Sequence, residues 1–308
     1  MKCIIFGGGG FIGSAIADRL LQEGHQLRIF ERPRVMPYRI FSNYEHVEWI
    51  TGDMLSAHDV SDAIHGMDVV YHLVSFTLPK SSNEDILYDV QTNLTATLHL
   101  LNAMIAHRVG KIIFISSGGT VYGNPEYIPI DEKHPTNPMV SYGIVKLTIE
   151  KYLLMFQKLH GIRSIIFRVS NPYGPRQRIE TAQGAATIFL YRALHSLPIQ
   201  IWGDGSVVRD YIYITDVADA FARVLGYEGT ASVFNISAGI GISLNELIEK
   251  IEFTLGRPVK KEYLPARPFD VPVNILENRL AQEMLGWKPS VGLSEGLLRT
   301  MKWLQSQA

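Results

Sequence analysis

Cysteine is almost absent from this chain: Cys3 is the only one in 308 residues. No intrachain disulfide can form, which points to a reducing compartment and so to a cytoplasmic protein. Cys3 also lies in the first apolar run, Cys3-Ile4-Ile5-Phe6, where a thiol serves as a small core residue rather than a nucleophile. Charge of one sign is lacking as well. With a net charge of −1 and a pI near 6.8, no global field draws in nucleic acid or an anionic membrane surface. Long hydrophobic runs are missing: nothing approaches the roughly 18 apolar residues of a spanning helix. The N-terminal run is broken by four glycines and does not read as a secretion signal. The ten histidines show no H-x-x-x-H spacing, and one cysteine cannot build a thiolate zinc site, so no metal is expected.

What is present is an ordinary globular composition, 46% hydrophobic and 19% charged. The first half alternates β-rich runs with helical periodicity. The pattern predicts strands over Lys2–Phe6, Gln26–Phe30, Val47–Thr51, Val69–Val74, Lys111–Ser116 and Arg163–Val169. It predicts helices over Ile12–Glu23, Ser56–Ile64, Val90–His107 and Ser141–His160. Such alternation implies an α/β fold with a doubly wound parallel sheet. After Asn171 the punctuation by Pro and Gly thickens and the pattern changes to a smaller α+β lobe. There a short β-rich run, 210–213, lies between helices 183–195 and 216–225. Two further helices follow, 243–255 with a Ser243/Glu246 capping box and 293–305. The expected division is residues 1–172 and 173–308, with some later segments returning to the first domain.

Gly7-Gly8-Gly9-Gly10-Phe11-Ile12-Gly13 follows the first strand and opens the first helix. Gly7, Gly10 and Gly13 fit G-x-x-G-x-x-G, where absent Cβ atoms let the backbone approach a pyrophosphate at a helix N-terminus. This is a Rossmann-type dinucleotide turn. Glu31, about twenty residues on, suits hydrogen bonds from the adenosine ribose and favours NAD over NADP, although Arg32 is adjacent. Asp53 either binds the adenine amino group or caps the helix starting near Ser56. Tyr142 and Lys146 stand four apart on one helix face. The ammonium is expected to lower the phenol pKa, making Tyr142 a proton acceptor near neutral pH.

Together these motifs resemble the extended short-chain dehydrogenase/reductase family, in its nucleotide-sugar epimerase/dehydratase branch. The resemblance also rests on Tyr71-His72-Leu73-Val74, Asn93, Ser116-Ser117-Gly118-Gly119-Thr120-Val121-Tyr122-Gly123, the run 168–176, Arg209-Asp210-Tyr211 and Phe234-Asn235-Ile236. It implies an NAD site lined by Gly7, Gly10, Phe11, Ile12, Gly13, Glu31, Asp53, Met54, Leu73, Asn93, Ser116, Tyr142 and Lys146. It also implies a UDP-sugar site using Asn171, Arg209, Asn274, Arg267 and Asp270. Many relatives carry a catalytic Ser or Thr where this chain has Gly118, so the sugar-facing hydroxyl must come from Ser117 or Thr120. Thr120 is favoured because it directly precedes V-Y-G. Gly118-Gly119-Thr120 also lacks the acidic pair of the 4,6-dehydratases. The resemblance therefore implies NAD-dependent 4-epimerisation of a UDP-hexose, plain or N-acetylated. A nucleotide-sugar reductase or dehydratase and a non-catalytic dinucleotide sensor are the alternatives. Related helices pair in homodimers, which places Leu94, Leu98, Leu101, Ile149, Leu153 and Phe156 either in the core or on a dimer face.

Overall fold

The computed structural model describes residues 1–42, 45–179, 184–266 and 271–307. In chain order the strands are β1 (Lys2–Phe6), β2 (Gln26–Glu31), β3 (Val47–Thr51), β4 (Val69–His72), β5 (Lys111–Ser117) and β6 (Arg163–Val169). Then follow β7 (Asn171–Tyr173), β8 (Ile199–Trp202), β9 (Val208–Tyr213), β10 (Val233–Ile236), β11 (Gly241–Ser243), β12 (Lys261–Leu264) and β13 (Val273–Asn274). The chain divides into two compact units. One comprises residues 1–123, 136–168 and 221–234, and the other comprises 124–135, 169–220 and 235–308.

The first unit is built on a seven-stranded sheet ordered β10-β6-β5-β4-β1-β2-β3. The ladders from β5 across to β3 are parallel. Strand order reverses between β1 and β4, and in such sheets ligands sit beyond the carboxyl ends of the strands at that reversal. The central strands read as continuous apolar runs because helices cover both faces. Ile4, Ile5, Phe6, Val69, Val70 and Phe114 are fully buried. Helices α1 (Phe11–Gln22), α2 (Ala57–Ile64), α3 (Ile86–Asp89), α4 (Ala96–His107) and α5 (Ser141–His160) belong to this unit. Cys3 is buried and its thiol is pushed up to about 12 by that burial, so it carries no nucleophilic thiolate.

The helix predicted over Val90–His107 is interrupted: Val90–Thr95 is a π-helical turn between α3 and α4. Side chains in and just after this turn bond to backbone carbonyls four residues back. Thr92 donates to Tyr88 O at 2.6 Å, Asn93 to Asp89 O at 3.1 Å and Thr97 to Asn93 O at 2.7 Å. Four of the six residues offered for a dimer face are core and the other two are half-buried. Leu101, Ile149 and Leu153 are essentially inaccessible, Phe156 is 7% exposed, and Leu94 and Leu98 pack against the same cluster.

The second unit has β9 as its hub. It lies between β11 and β13 and also pairs with β7, in register Gly241↔Asp210, Asn274↔Arg209 and Asn171↔Tyr211. A separate two-stranded ladder joins β12 and β8. The capping box at Ser243/Glu246 is present as expected. No helix among the described residues is long and apolar enough to cross a membrane.

Candidate active site

The glycine turn follows β1 and ends on α1. Gly10 is the N-cap, with no side-chain cap and no acidic residue in the first helical turn. The exposed backbone N–H groups and the helix dipole are thus left for an anionic group. A Cβ on Gly13 would lie 2.1 Å from Gly7 O, so only glycine allows this approach of α1 to the turn. Phe11 and Ile12 begin α1 and are half-buried. At the end of β2, Glu31 Oε1 accepts the Gly9 N–H at 2.8 Å, which places the carboxylate against the glycine turn. An uncapped helix start, a close glycine approach and an acid beside them fit a dinucleotide.

Asp53 remains exposed. It accepts from Leu55 N at 2.9 Å, while Ser56 is the actual cap of α2, accepting from Asp59 N. The capping alternative for Asp53 is therefore set aside in favour of Ser56. Met54, expected at the cofactor, is instead 1% exposed in the cluster with Phe6, Phe30 and Val60, because an unbranched apolar side chain fills that gap. Leu73 follows β4 half-buried.

Asn93, also expected at the cofactor, is 6% exposed and committed inside the protein. Its Oδ1 accepts from Phe76 N at 3.0 Å and its Nδ2 donates to Asp89 Oδ1 at 2.9 Å. Asp89 is wholly buried and also accepts from Thr77 Oγ1 at 2.5 Å and Ser141 Oγ at 2.6 Å. The network thus joins the segment after β4, the π turn and the start of α5. Ser116, a third cofactor candidate, donates its hydroxyl to Glu150, which in turn pairs with Arg168 at 2.6 Å in the core.

Helix α5 has no side-chain cap from its own N-cap residue, Val140. Its first N–H groups are satisfied from elsewhere: Asn83 Oδ1 accepts from Ser141 N at 2.9 Å and Ser82 Oγ from Tyr142 N at 3.1 Å. On this anchored turn sit Tyr142, half-buried, and Lys146, 3% exposed. Lys146 Nζ donates to Ile115 O at 3.0 Å, lies 4.7 Å from the Phe114 ring centre and 5.6 Å from that of Tyr142.

The expected lowering of the Tyr142 pKa by Lys146 is corrected. Burial pushes the phenol up to about 12, assisted by the Asp89 charge and opposed by a hydrogen bond from Ser75. Burial brings Lys146 down to about 8, with Asp89 and Glu150 acting in the other direction. Desolvation is the largest influence on both groups. Lys146 is charged at neutral pH but aims its ammonium at a carbonyl.

Thr120 lies in the turn after β5, beside α5: a Cβ on Gly143 would sit 2.8 Å from Thr120 O. Its hydroxyl oxygen is buried and has no hydrogen-bond partner. Ser117 ends β5, and its carbonyl receives the Thr120 and Val121 N–H groups.

Within the second unit, Asn171 Nδ2 donates to Asp210 O at 3.0 Å. Arg209 Nη1 donates to Val208 O at 2.9 Å and Val271 O at 2.7 Å. Asn274, whose type suggests a loop, is instead in β13 opposite Arg209 and is 1% exposed. These three residues are brought together on β7, β9 and β13. Arg267 and Asp270 lie outside the described residues. Sequence reasoning missed Ser75, Ser82, Asn83, Asp89 and Asp210. Only Asp89 left a usable sign, its position four before Asn93 on a helical stretch.

The glycine turn and the Tyr-Lys pair lie on the same unit, an arrangement suited to an enzyme that binds a dinucleotide. The sequence matches the NAD dependent epimerase/dehydratase family over residues 3–237; the chain belongs to that family, and NAD is its cofactor. Among its relatives, UDP-glucose 4-epimerase of Mycolicibacterium smegmatis is 34% identical, covering the whole of both chains. A dTDP-4-dehydro-6-deoxyglucose reductase of Escherichia coli is also 34% identical, covering 97% of this chain and 96% of its own. The crystal structure of the Thermotoga maritima UDP-glucose 4-epimerase with UDP-glucose superposes with a TM-score of 0.94 at 32% identity, covering 100% of this chain and 99% of that one.

Proposed function

We propose that the protein interconverts the C4 epimers of a UDP-hexose, UDP-glucose and UDP-galactose or their N-acetyl forms, without net redox change. The observation that carries this reading is the Tyr142–Lys146 pair on the anchored start of α5, which runs beside the turn that holds the unpartnered Thr120 hydroxyl and offers no carboxylate. Gly118 and Gly119 cannot supply the acid and base that elimination of water requires.

Bound NAD supplies a hydride acceptor and donor at the sugar C4 and adds positive charge when oxidised. The Tyr142 phenol takes the C4 hydroxyl proton and returns it. Its high pKa within the protein means that added positive charge and the Ser75 hydroxyl are what make the phenolate accessible. Lys146 holds the cofactor ribose hydroxyls and keeps a positive charge near the phenol. Thr120, in preference to Ser117, donates its hydroxyl to the sugar oxygen, because an orphaned buried hydroxyl is stabilised by a bound acceptor. Glu31 accepts from the adenosine ribose, and Asp53 from the adenine. Asn171, Arg209 and Asn274, with Arg267 and Asp270, bind the nucleotide diphosphate and sugar. Positioning and electrostatics are the protein's share of the chemistry.

The chain also forms a homodimer in this reading. Ile144, Met155 and Leu159 recur on one face of α5 and are 52%, 41% and 63% exposed, an apolar stripe that association would cover. A second reading is a nucleotide-sugar 4-ketoreductase, favoured by the reductase relative that is 34% identical along nearly the full chain. Incubation with UDP-glucose and no added cofactor separates the two: the epimerase yields UDP-galactose, whereas a reductase leaves UDP-glucose, which has no 4-keto group to reduce, unchanged and consumes NADPH or NADH only on a 4-keto nucleotide-sugar.

A further inference from the structure

We propose that Asp210 is a positioning residue for the sugar nucleotide: its buried carboxylate locks together the strands that carry Asn171, Arg209 and Asn274. This rests on the reading above that those three residues bind the nucleotide-sugar. Asp210 is fully buried at the centre of β9, and the groups acting on its charge are hydrogen-bond donors rather than a cation. Its charge is instead met by neutral donors from three separate segments. Oδ1 accepts from Ala238 N at 2.9 Å and Ser170 Oγ at 3.3 Å. Oδ2 accepts from Gly239 N at 3.1 Å and Leu276 N at 3.3 Å.

Each bond reaches a part of the binding arm. Ser170 precedes Asn171, whose amide also donates to the Asp210 carbonyl. Leu276 lies two residues after Asn274, and Asn274 is in register with Arg209. Ala238 and Gly239 lead from β10 into β11. One carboxylate therefore fixes the spacing of all three recognition residues, although alternation along β9 sends its side chain away from the face used by Arg209. Only an ionised carboxylate can accept from all four donors, because a protonated or amidated oxygen adds a hydrogen where a donor already points.

The price of this arrangement is paid in stability, which argues that it is retained for function. Burial raises the Asp210 pKa from 3.8 to about 6, outweighing its four bonds. Between those values the folded chain keeps a proton that the unfolded chain has released, so this group makes stability fall as pH rises through that window. Above about pH 6 the lock is ionised and formed; below it the lock opens. The other titratable groups near this cluster are Arg209 and Tyr211 flanking it on β9, Glu277 next to Leu276, and Glu132, which accepts from Asn235 N at 2.7 Å and is itself raised by burial. Tyr173 on β7 and Tyr211 are raised further above neutrality and stay neutral.

The test measures UDP-glucose binding calorimetrically from pH 5 to 8 on the NAD-loaded Tyr142→Phe protein, so that turnover is suppressed. UDP-glucose is used because its diphosphate is a diester without the terminal ionisation near pH 6 of a phosphate monoester. The parent should lose affinity as pH falls below about 6, approaching tenfold per unit. Adding Asp210→Asn should weaken binding at pH 7.5 by at least about tenfold and flatten the pH dependence, with NAD still retained. Ser170→Ala, which keeps the carboxylate but removes one stabilising bond, should move the acid limb to higher pH. Glu132→Gln should leave the limb in place. Equal affinity and an unchanged limb in Asp210→Asn overturn the proposal alone. Loss of the limb in Glu132→Gln assigns it elsewhere and also overturns it. No UDP-glucose binding by the parent contradicts the functional reading, and the proposal falls with it. In wild-type kinetics, Asp210→Asn should raise KM more than it lowers kcat, which a general loss of folding would not do.

Discussion

At the residue scale the account turns on Tyr142. Its phenol sits where burial makes ionisation costly, so in the proposed mechanism the phenolate depends on the positive charge that a bound oxidised cofactor would bring. Lys146, brought to about 8, keeps most of its charge at neutral pH and loses it as pH rises above that value. Substituting Tyr142→Phe removes the proton acceptor but no packing volume. Turnover should fall by at least about 100-fold while NAD co-purifies in unchanged amount, measured by absorbance of the extracted nucleotide. Normal turnover in that variant would remove Tyr142 from the mechanism. The pair was visible in the sequence because i and i+4 share a helix face. The direction of its pKa shift was not, because spacing reports proximity and says nothing of how much water has been excluded.

At the scale of elements, α5 is held at its catalytic end by residues of a distant segment. Val140 offers no cap, and the first N–H groups go to Asn83 and Ser82. Asn83→Ala should therefore cost about 1 kcal/mol in stability, the usual worth of a cap. It should also lower kcat, since Tyr142 lies on that same turn. Ser243→Ala, in the capping box of the second unit, should cost about the same in denaturant unfolding and leave kcat unchanged. Equal kcat in both variants would separate the anchor from catalysis. The same scale shows where sequence reading stopped. Strands β1, β3 and β6 and helix α5 have the predicted bounds, because apolar runs and turn residues mark them clearly. The 90–107 stretch reads as one helix by its periodicity, which gives no sign of the π turn at Val90–Thr95. Strands of two to four residues, such as β7, β11 and β13, carry too few positions for a period to register.

For the whole molecule, the order of segments along the chain is not their grouping in space. Residues 124–135 group with the second unit and 221–234 with the first, a pattern set by long-range contacts that local periodicity cannot reveal. The Asp210 lock shows the same limit: its donors come from residues 170, 238, 239 and 276, and nothing local in Arg-Asp-Tyr announces them. By contrast, the dinucleotide turn was legible because its steric requirement is local to Gly7–Gly13. Assembly is tested at this scale too. The 34.6 kDa chain should sediment at twice its mass, and Met155→Lys with Leu159→Lys should yield monomer if the α5 stripe is the covered face. A monomer at micromolar concentration would refute the dimer.

The central claim is a redox-neutral exchange at C4 with the hydride kept inside the protein. It is tested most directly by incubating the purified protein with UDP-glucose deuterated at C4, without added nucleotide, and following the product by proton NMR. The account predicts UDP-galactose with deuterium retained at C4 and no net NADH. Absence of UDP-galactose, or its formation with loss of the deuterium to solvent, would contradict it.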